Sequence, residues 1–459
     1  MAILSDMMWI GMEELKPSDV AMIVRELTLV PKASPLDQFP PAKIKQYVEE
    51  PDRIGVPFAY GETRFAHLEI VEKFSYGQKY KPARLPDPNS PKSPPDQEFF
   101  FSGVLKALNE LTTVFAIAPT GSGKTVTVLN ASGTLGVSTL VVVPSAYLAD
   151  QWREEAMRHL GLEWSDIGVL QGASADWKGK KIVIAIIHNL FLKEWPQEFY
   201  DNFGMVAWDE ADTLGAKVFS TTMFMFTARY KIAVTATPHR KDGCDALYKN
   251  YFGNPAVTAK SKALACDCYV IPFKHVGEKH KWINKCKSDV KPMQWLSKLK
   301  MRNELIIKLA CSLYDDGRNI LIITKYIDHV ELLVEMLVAQ GIPREEIGQF
   351  TRETSEGKKH GKGFLEKIKK ESNVIVGTYA MLKRGVDIPR LDTGIEALPS
   401  ADAIQSIGRI RRPYLNKKRP KWFSISDLRV PLFEAYTNSR LRGFRSSNVT
   451  IKELNKDAV

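Results

Sequence analysis

The sequence predicts an α/β protein with two tandem parallel-sheet domains and a small accessory segment ahead of them. Three observations carry this expectation. Short apolar, β-rich runs alternate with amphipathic stretches along most of the chain, in two successive sets. The runs are apolar at consecutive positions, as strands buried on both faces by helices are, and that is the parallel-sheet arrangement. A stretch with six prolines, residues 82–95, stands between the leading segment and both sets. At about 100–200 residues per domain, 459 residues hold two to four domains.

In chain order, residues 1–95 form the expected accessory segment, closed by PARLPDPNSPKSPP. So many prolines exclude a helix or a central strand, so this stretch reads as an extended linker. The first domain, residues 96–262, carries the runs TVFAIAP (113–119), TLVVVP (139–144), KIVIAII (181–187), MVAWDEA (205–211) and KIAVTAT (231–237). The second, residues 263–459, carries CYVIPF (268–273), NILIIT (319–324), NVIVGTY (373–379) and KWFSISD (421–427). Pieces such as YLADQWREEAMRHL and DHVELLVEMLVAQG supply the intervening helices. Ligands of such folds bind at the carboxyl ends of the strands, so the residues just after each run are the candidates for function.

Composition narrows the class. Hydrophobic residues make up 44% and charged residues 25%, which excludes wholesale disorder, collagen-like repeats and a disulfide scaffold. No apolar run approaches the roughly 18 residues of a membrane span. The opening MAILSDMMWI, with Asp6 and no basic residue, makes a poor secretory signal. Five cysteines, an odd and sparse set, point to a reducing compartment, hence the cytoplasm. Cys266, Cys268, His275, His280 and Cys286 lie close together, but Cys-x-Cys is not the usual zinc spacing; strand packing is the alternative. The net charge of +11 is concentrated in two blocks, +8 over residues 260–302 and +9 over 405–459. Such clustering fits either a polyanionic partner or a solvated surface.

Two motifs carry chemistry. AIAPTGSGKT, residues 116–125, follows an apolar run and precedes a helix-compatible stretch, the context of a phosphate loop. Thr120, Gly121, Ser122 and Gly123 would turn backbone N–H groups toward phosphate oxygens. Lys124 would reach the β- and γ-phosphates and Thr125 would ligate Mg²⁺. The pattern asks for glycine at 118, where this chain has alanine. The second motif, Asp209-Glu210-Ala211-Asp212, ends a buried run 85 residues after Lys124. Asp209 there would hold Mg²⁺, and Glu210 would orient and deprotonate the attacking water.

The pair APTGSGKT and DEAD resembles the superfamily-two helicases and translocases, and the likeness continues in order over roughly residues 97–412. VVVPSAYLADQW resembles motif Ia, VTATPHRKDG (234–243) motif III, NILIITKYIDHVELL motif IV, VIVGTYAMLKRGVDIP motif V and QSIGRIRRP (405–413) motif VI. The resemblance implies two tandem RecA-like motor domains that use ATP and Mg²⁺. It implies that Gln405, Arg409 and Arg412 belong to the ATPase machinery, the two arginines reaching in from the second domain as arginine fingers. Spaced three apart, they would project from one helix face. Gln97, 27 residues before Lys124, resembles the adenine-reading glutamine; a solvated side chain is the alternative. Thr235 and Thr237 resemble the motif coupling ATP state to nucleic-acid grip. Gly385 and Asp387 resemble nucleotide-contacting positions, and Pro144, Ser145 and Thr378 a phosphate track that binds without regard to sequence.

DEAD-box RNA helicases share DEAD, but usually with SAT and HRxGRxxR where this chain has TATPHR and QSIGRIRR. Those forms resemble the XPB-type, UvsW-type and RecG-like DNA translocases. LTLVPK (27–32) and RIGVPFAYG (53–61) resemble the opening segment of phage and viral UvsW-like helicases. The expectation is thus a DNA motor that unwinds and branch-migrates forks and Holliday junctions, plausible as a monomer and acting in the host cytoplasm if phage-encoded. An RNA helicase or transcript-release translocase is the alternative, and a nucleotide-gated, non-catalytic scaffold is a third reading. Lys417, Lys418, Arg419 and Lys421 are the expected phosphate-contacting cluster of the last basic block. The leading segment, with 12 basic and 13 acidic residues, shows no basic excess; its aromatics Phe58, Tyr60, Phe65, Phe74, Tyr76 and Tyr80 would either stack on bases or form its core.

Overall fold

The computed structural model describes the chain except residues 33–41, 91–92, 94–95, 120, 216–219, 237–242, 261–262, 276–280, 287, 352, 356–361, 384–387, 401–403, 446, 448 and 454–459. It divides into two compact units, Met1–Ser261 and Lys262–Val459.

In the first unit every expected run forms a strand: Val114–Ile117, Thr139–Val143, Ile182–Ile186, Met205–Asp209 and Tyr230–Thr235. Among the described residues they belong to an eight-stranded sheet. Its order is Ser174–Ala175, Ile167–Gln171, Ile182–Ile186, Thr139–Val143, Met205–Asp209, Tyr230–Thr235, Val114–Ile117 and Val257–Thr258. All neighbours are parallel except the antiparallel edge pair of Ile167–Gln171 with Ser174–Ala175. Successive residues serve opposite faces, because strand side chains alternate. Val114, Ala116, Met205, Ala207, Ile232 and Val234 pack with Phe100, Val104 and Val128 on one side. Phe115, Val206, Trp208 and Ala233 pack on the other.

That second face is where the leading segment lies. Its five-stranded sheet runs Val48–Glu49, Arg53–Val56, Met8–Gly11, Ala2–Leu4 and Ile70–Glu72. Leu4, Met8, Ile10, Ile54, Val56 and Phe58 share one apolar cluster with Phe115, Trp208, Tyr248 and Tyr251. Phe58 and Phe65 are therefore core, whereas Tyr76 is half exposed. Over its described residues the proline-rich passage holds neither helix nor strand and turns at Asp87–Ser90, and its first part is not free. The Tyr80 and Ala83 amides donate to the carbonyls of Gly136 and Leu160. A Cβ on Gly133 would sit 2.7 Å from Leu85, so the passage lies directly on the helix Lys124–Leu135.

The second unit holds a seven-stranded sheet among its described residues, all parallel. Its order is Ile347–Phe350, Val374–Thr378, Ile320–Thr324, Thr393–Glu396, Lys421–Leu428, Cys266–Lys274 and Val449–Glu453. Ile320, Ile322, Val374, Val376 and Ile425 face one apolar cluster, and Leu321, Ile323, Ile375 and Trp422 the other. Cys266 and Cys268 are wholly buried in the second cluster, where burial pushes the Cys266 thiol up to about 12. His275 is bonded to Asp427, and His280 lies outside the described residues. Packing accounts for these cysteines. Among the described residues no helix is long and apolar enough to cross a membrane.

Candidate active site

Register brings the first unit's motifs to one edge. Asp209 pairs with Val234, Val234 with Ala116, Thr235 with Ile117, and Trp208 with Val142. The phosphate loop, the acidic motif, Thr235 and Pro144 therefore all follow carboxyl strand ends, where α/β sheets bind ligands.

Gly121 and Gly123 adopt φ of 84° and 83°, a left-handed turn that glycine makes without steric cost. The Ser122 amide and hydroxyl both donate to the Pro119 carbonyl, closing the turn. The helix Lys124–Leu135 starts there with Gly123 as its cap. Its first N–H groups have no partner within the helix and form a ready anion site. Ala118, at the position where the pattern asks for glycine, is buried in the apolar core. Thr125 sits in the first turn; Thr120 lies outside the described residues.

The Lys124 Nζ is 3.2 Å from Glu210 Oε1. Burial disfavours its charge, but the Glu210 and Asp209 carboxylates outweigh that and hold its pKa above the usual value. Glu210 has φ of 54°, a left-handed conformation uncommon outside glycine. Asp209 is 6% exposed, and both its oxygens are engaged. Oδ1 accepts from the Glu210 amide and Oδ2 from the Trp152 indole N–H, each at 2.9 Å. Burial pushes the Asp209 carboxyl up, against the pull of Lys124. Asp212 is pushed up to about 6 by burial and by Glu210, and it accepts from the Thr235 hydroxyl. Thr237 lies outside the described residues.

Gln97 is 2% exposed at the start of the helix Gln97–Glu110, so the solvated alternative is excluded. Its Nε2 donates to Thr127 Oγ1 at 2.8 Å, tying it to the phosphate-loop helix. A Cβ on Gly123 would fall 2.1 Å from Gln97 Oε1, so only glycine lets the two approach. Gln97 Oε1 and Glu210 Oε2 are buried without a hydrogen-bond partner. Two orphan acceptors, an anion-binding turn and a lysine beside two carboxylates fit a nucleoside triphosphate with a divalent cation. Ser145 caps the helix Ala146–Leu160 by accepting from the Leu148 amide, and Trp152 stands on that same helix. Nothing in the sequence singled out Trp152, whose partner is 57 residues away.

In the second unit Thr378 ends the strand Val374–Thr378, nearly buried, its hydroxyl accepting from the Met381 amide. Gly385, Asp387 and the Gln405 side chain lie outside the described residues. Arg409 stands on the helix Ile404–Ile410, but Arg412 does not. The expectation that both project from one helix face is thus corrected. The Arg411 amide closes a turn onto Gly408, and the residue before Pro413 is disfavoured from helix. Burial lowers the Arg412 pKa to about 10. Arg411 has a structural task, donating to the Leu264 and Ser447 carbonyls.

The cluster at 417–421 is held differently from the expectation. Lys417 donates to the Pro389 and Arg412 carbonyls and is lowered to about 8 by burial. Lys418 donates to the Asp316 and Gly317 carbonyls, and Arg419 makes a bidentate pair with Asp267. Lys421 aligns with Thr393, Thr393 with Ile320, and Ile320 with Val374. These cations are therefore at the amino edge of the sheet, and Thr378 is at the carboxyl edge.

Comparison with known proteins agrees with the fold and motifs. Residues 90–240 match the family model described as type III restriction enzyme, res subunit. The chain is 24% identical over 446 residues to a putative ATP-dependent RNA helicase, L396, of Acanthamoeba polyphaga mimivirus, covering 94% of this chain and 82% of that one. It is 27% identical over 269 residues to the DNA 3'-5' translocase XPB2 of Sulfurisphaera tokodaii, covering 54% of this chain and 58% of that one. In fold it is similar to S. cerevisiae Dbp5 bound to RNA and ADP BeF3, with a TM-score of 0.53, 14% identity, and 79% and 90% of the two chains covered. With its phosphate loop, its acidic motif and its two parallel sheets of RecA-like design, the chain is similar to superfamily two of the helicases, the ATP-dependent helicases and translocases.

Proposed function

We propose that the chain is an ATP-dependent DNA helicase and translocase that unwinds and branch-migrates forked and four-way DNA. ATP is the substrate, with Lys124 and the amides of residues 120–125 on its phosphates and Gln97 beside the loop. Thr125 and Asp209 would hold a Mg²⁺, which supplies positive charge to the phosphates when bound. Glu210 orients the attacking water and takes its proton. Gln405, Arg409 and Arg412, with Gly385 and Asp387, are the second unit's share of ATP turnover. Pro144, Ser145 and Thr378, each at a carboxyl strand end, form the track for the polynucleotide backbone.

The single observation carrying the ATPase part is the Lys124–Glu210–Asp209 constellation over a left-handed glycine turn. The DNA part rests on the motif forms TATPHR and QSIGRIRR and on a relative named as a DNA translocase. A relative matching most of the chain is named as a putative RNA helicase, which favours RNA as the second reading.

ATPase rates with single-stranded DNA, forked DNA and RNA decide between the two; stimulation by RNA alone overturns the choice of DNA. Lys124→Ala and Glu210→Gln should each abolish stimulated turnover, with ATP binding retained in Glu210→Gln. Full turnover in either variant sinks the assignment. Labelled forks and four-way junctions, with and without ATP, test branch migration.

A further inference from the structure

Residues 396–400, EALPS, lead from the strand Thr393–Glu396 toward the Arg409-bearing helix, and their polar atoms are gripped from three sides. Arg302 donates to the Ala397 carbonyl. The Tyr379 hydroxyl lies 2.9 Å from both the Leu398 carbonyl and Glu396 Oε1. Burial, with the Glu396 carboxylate, pushes that hydroxyl well above its ordinary pKa, so it serves as a donor. The Ser400 amide donates to Glu396 Oε1 at 3.1 Å, and Arg440 Nη1 donates to the Ser400 carbonyl at 3.0 Å. Arg440 Nε closes the network 2.8 Å from Glu396 Oε2, both side chains being buried.

A buried ion pair adds little stability over an apolar pair of the same size; its distinctive product is a fixed geometry. Here the geometry joins two functional segments. Tyr379 directly follows Thr378 and opens the helix Tyr379–Lys383. Its hydroxyl is bonded to Glu396 and Leu398, which lie upstream of the Ile404–Ile410 helix in sequence. A displacement of Thr378 on gripping a phosphate therefore reaches Leu398 and Glu396 through one side chain. Arg440, fixed by Ser424 and Thr437, gives that movement a stationary anchor.

We infer that Tyr379, Glu396 and Arg440 are positioning residues that couple polynucleotide grip at Thr378 to the Arg409-bearing helix. The inference rests on the proposed function, in which Thr378 touches the backbone and Arg409 serves ATP turnover.

The test uses the full chain and Tyr379→Phe, which removes one oxygen and keeps the ring. ATPase is measured with and without an oligothymidylate, and its affinity by fluorescence anisotropy. The stimulated-to-unstimulated ratio should fall about fivefold or more, with affinity and unstimulated rate within about twofold of wild type. Hydrogen exchange supplies a second readout. Oligonucleotide binding should change protection over residues 396–410 in the wild type, and only around 378–383 in Tyr379→Phe. An unaltered ratio, or stimulated and unstimulated rates falling in step with a lowered Tm, overturns the coupling. If neither DNA nor RNA stimulates the wild type, the functional reading itself falls, and the coupling with it.

Discussion

Lys231 gives the sharpest physical prediction. It is wholly buried in the strand Tyr230–Thr235, beneath the leading segment. Its Nζ donates to the carbonyls of Ser5, at 3.1 Å, and Ala228, and lies 4.7 and 4.5 Å from the ring centres of Phe58 and Phe74. Among the described residues no carboxylate is within ion-pair distance; Asp6 and Glu62 favour its charge from farther off and Arg229 opposes it. Burial dominates and lowers its pKa from 10.5 to about 7. Between these two values the unfolded chain carries a proton that the folded chain lacks, so stability rises with pH across this window, and below it the full penalty stands. The slope approaches about 1.4 kcal/mol per pH unit, and from about pH 7.5 to about pH 9.5 the wild type should gain about 2.5 kcal/mol. Lys231→Met keeps an unbranched chain only one atom shorter and carries no titratable proton. Urea unfolding of both proteins by tryptophan fluorescence isolates the effect, because the other titrating groups cancel in the difference. The wild type should gain on the variant by that amount. Parallel stability–pH curves would refute the reasoning and mean that the lysine keeps its ordinary pKa.

Other changes probe other parts of the molecule. Trp152→Phe removes the donor to Asp209 Oδ2; the Mg²⁺ concentration needed for half-maximal binding of a fluorescent ATP analogue should rise about tenfold, and an unchanged Mg²⁺ titration refutes a role in orienting that carboxylate. Arg302→Leu takes the bidentate guanidinium from the buried Asp427 carboxylate and leaves it only His275 among the described residues, and should cost about 3–5 kcal/mol in urea unfolding. Lys418→Ala with Arg419→Ala should leave the salt dependence of DNA binding unchanged, because both cations are bonded to the chain's own acceptors at the amino edge of the sheet. A salt slope shallower by about one or two would return them to the track.

The strands that the sequence revealed and those it hid differ for a physical reason. Runs such as TLVVV and ILIIT are buried on both faces, so they are continuous and conspicuous. IGVLQ, IGQF and TGIE also form parallel strands, but their apolar content is too sparse to stand out. TGIE is central in its sheet and ends in Glu396, a carboxylate that Arg440, distant in sequence, makes tolerable there together with Tyr379 and the Ser400 amide. The phosphate loop and the acidic motif were legible because one strand end and one turn build each of them. Pro413 likewise carried, in the sequence itself, the reason that Arg412 leaves the helix.

What stayed hidden depends on contacts between distant segments. Trp152 reaches Asp209 from a helix 57 residues earlier in the chain, and Lys231 reaches Ser5, 226 residues before it. The leading segment illustrates the limit best. Its composition and its proline border suggested a separate accessory body, yet its apolar residues complete a face of the first sheet. Lys231 lies inside that shared core, on the strand that ends at Thr235, whose hydroxyl donates to Asp212 of the acidic motif. Any change that loosens the leading segment therefore exposes Lys231 to water and relieves the penalty on its charge. A single strand thus links the packing of the first residues to the acidic motif. Lys231→Met, which removes the charge without disturbing the carboxyl edge, separates that packing from the chemistry of the site.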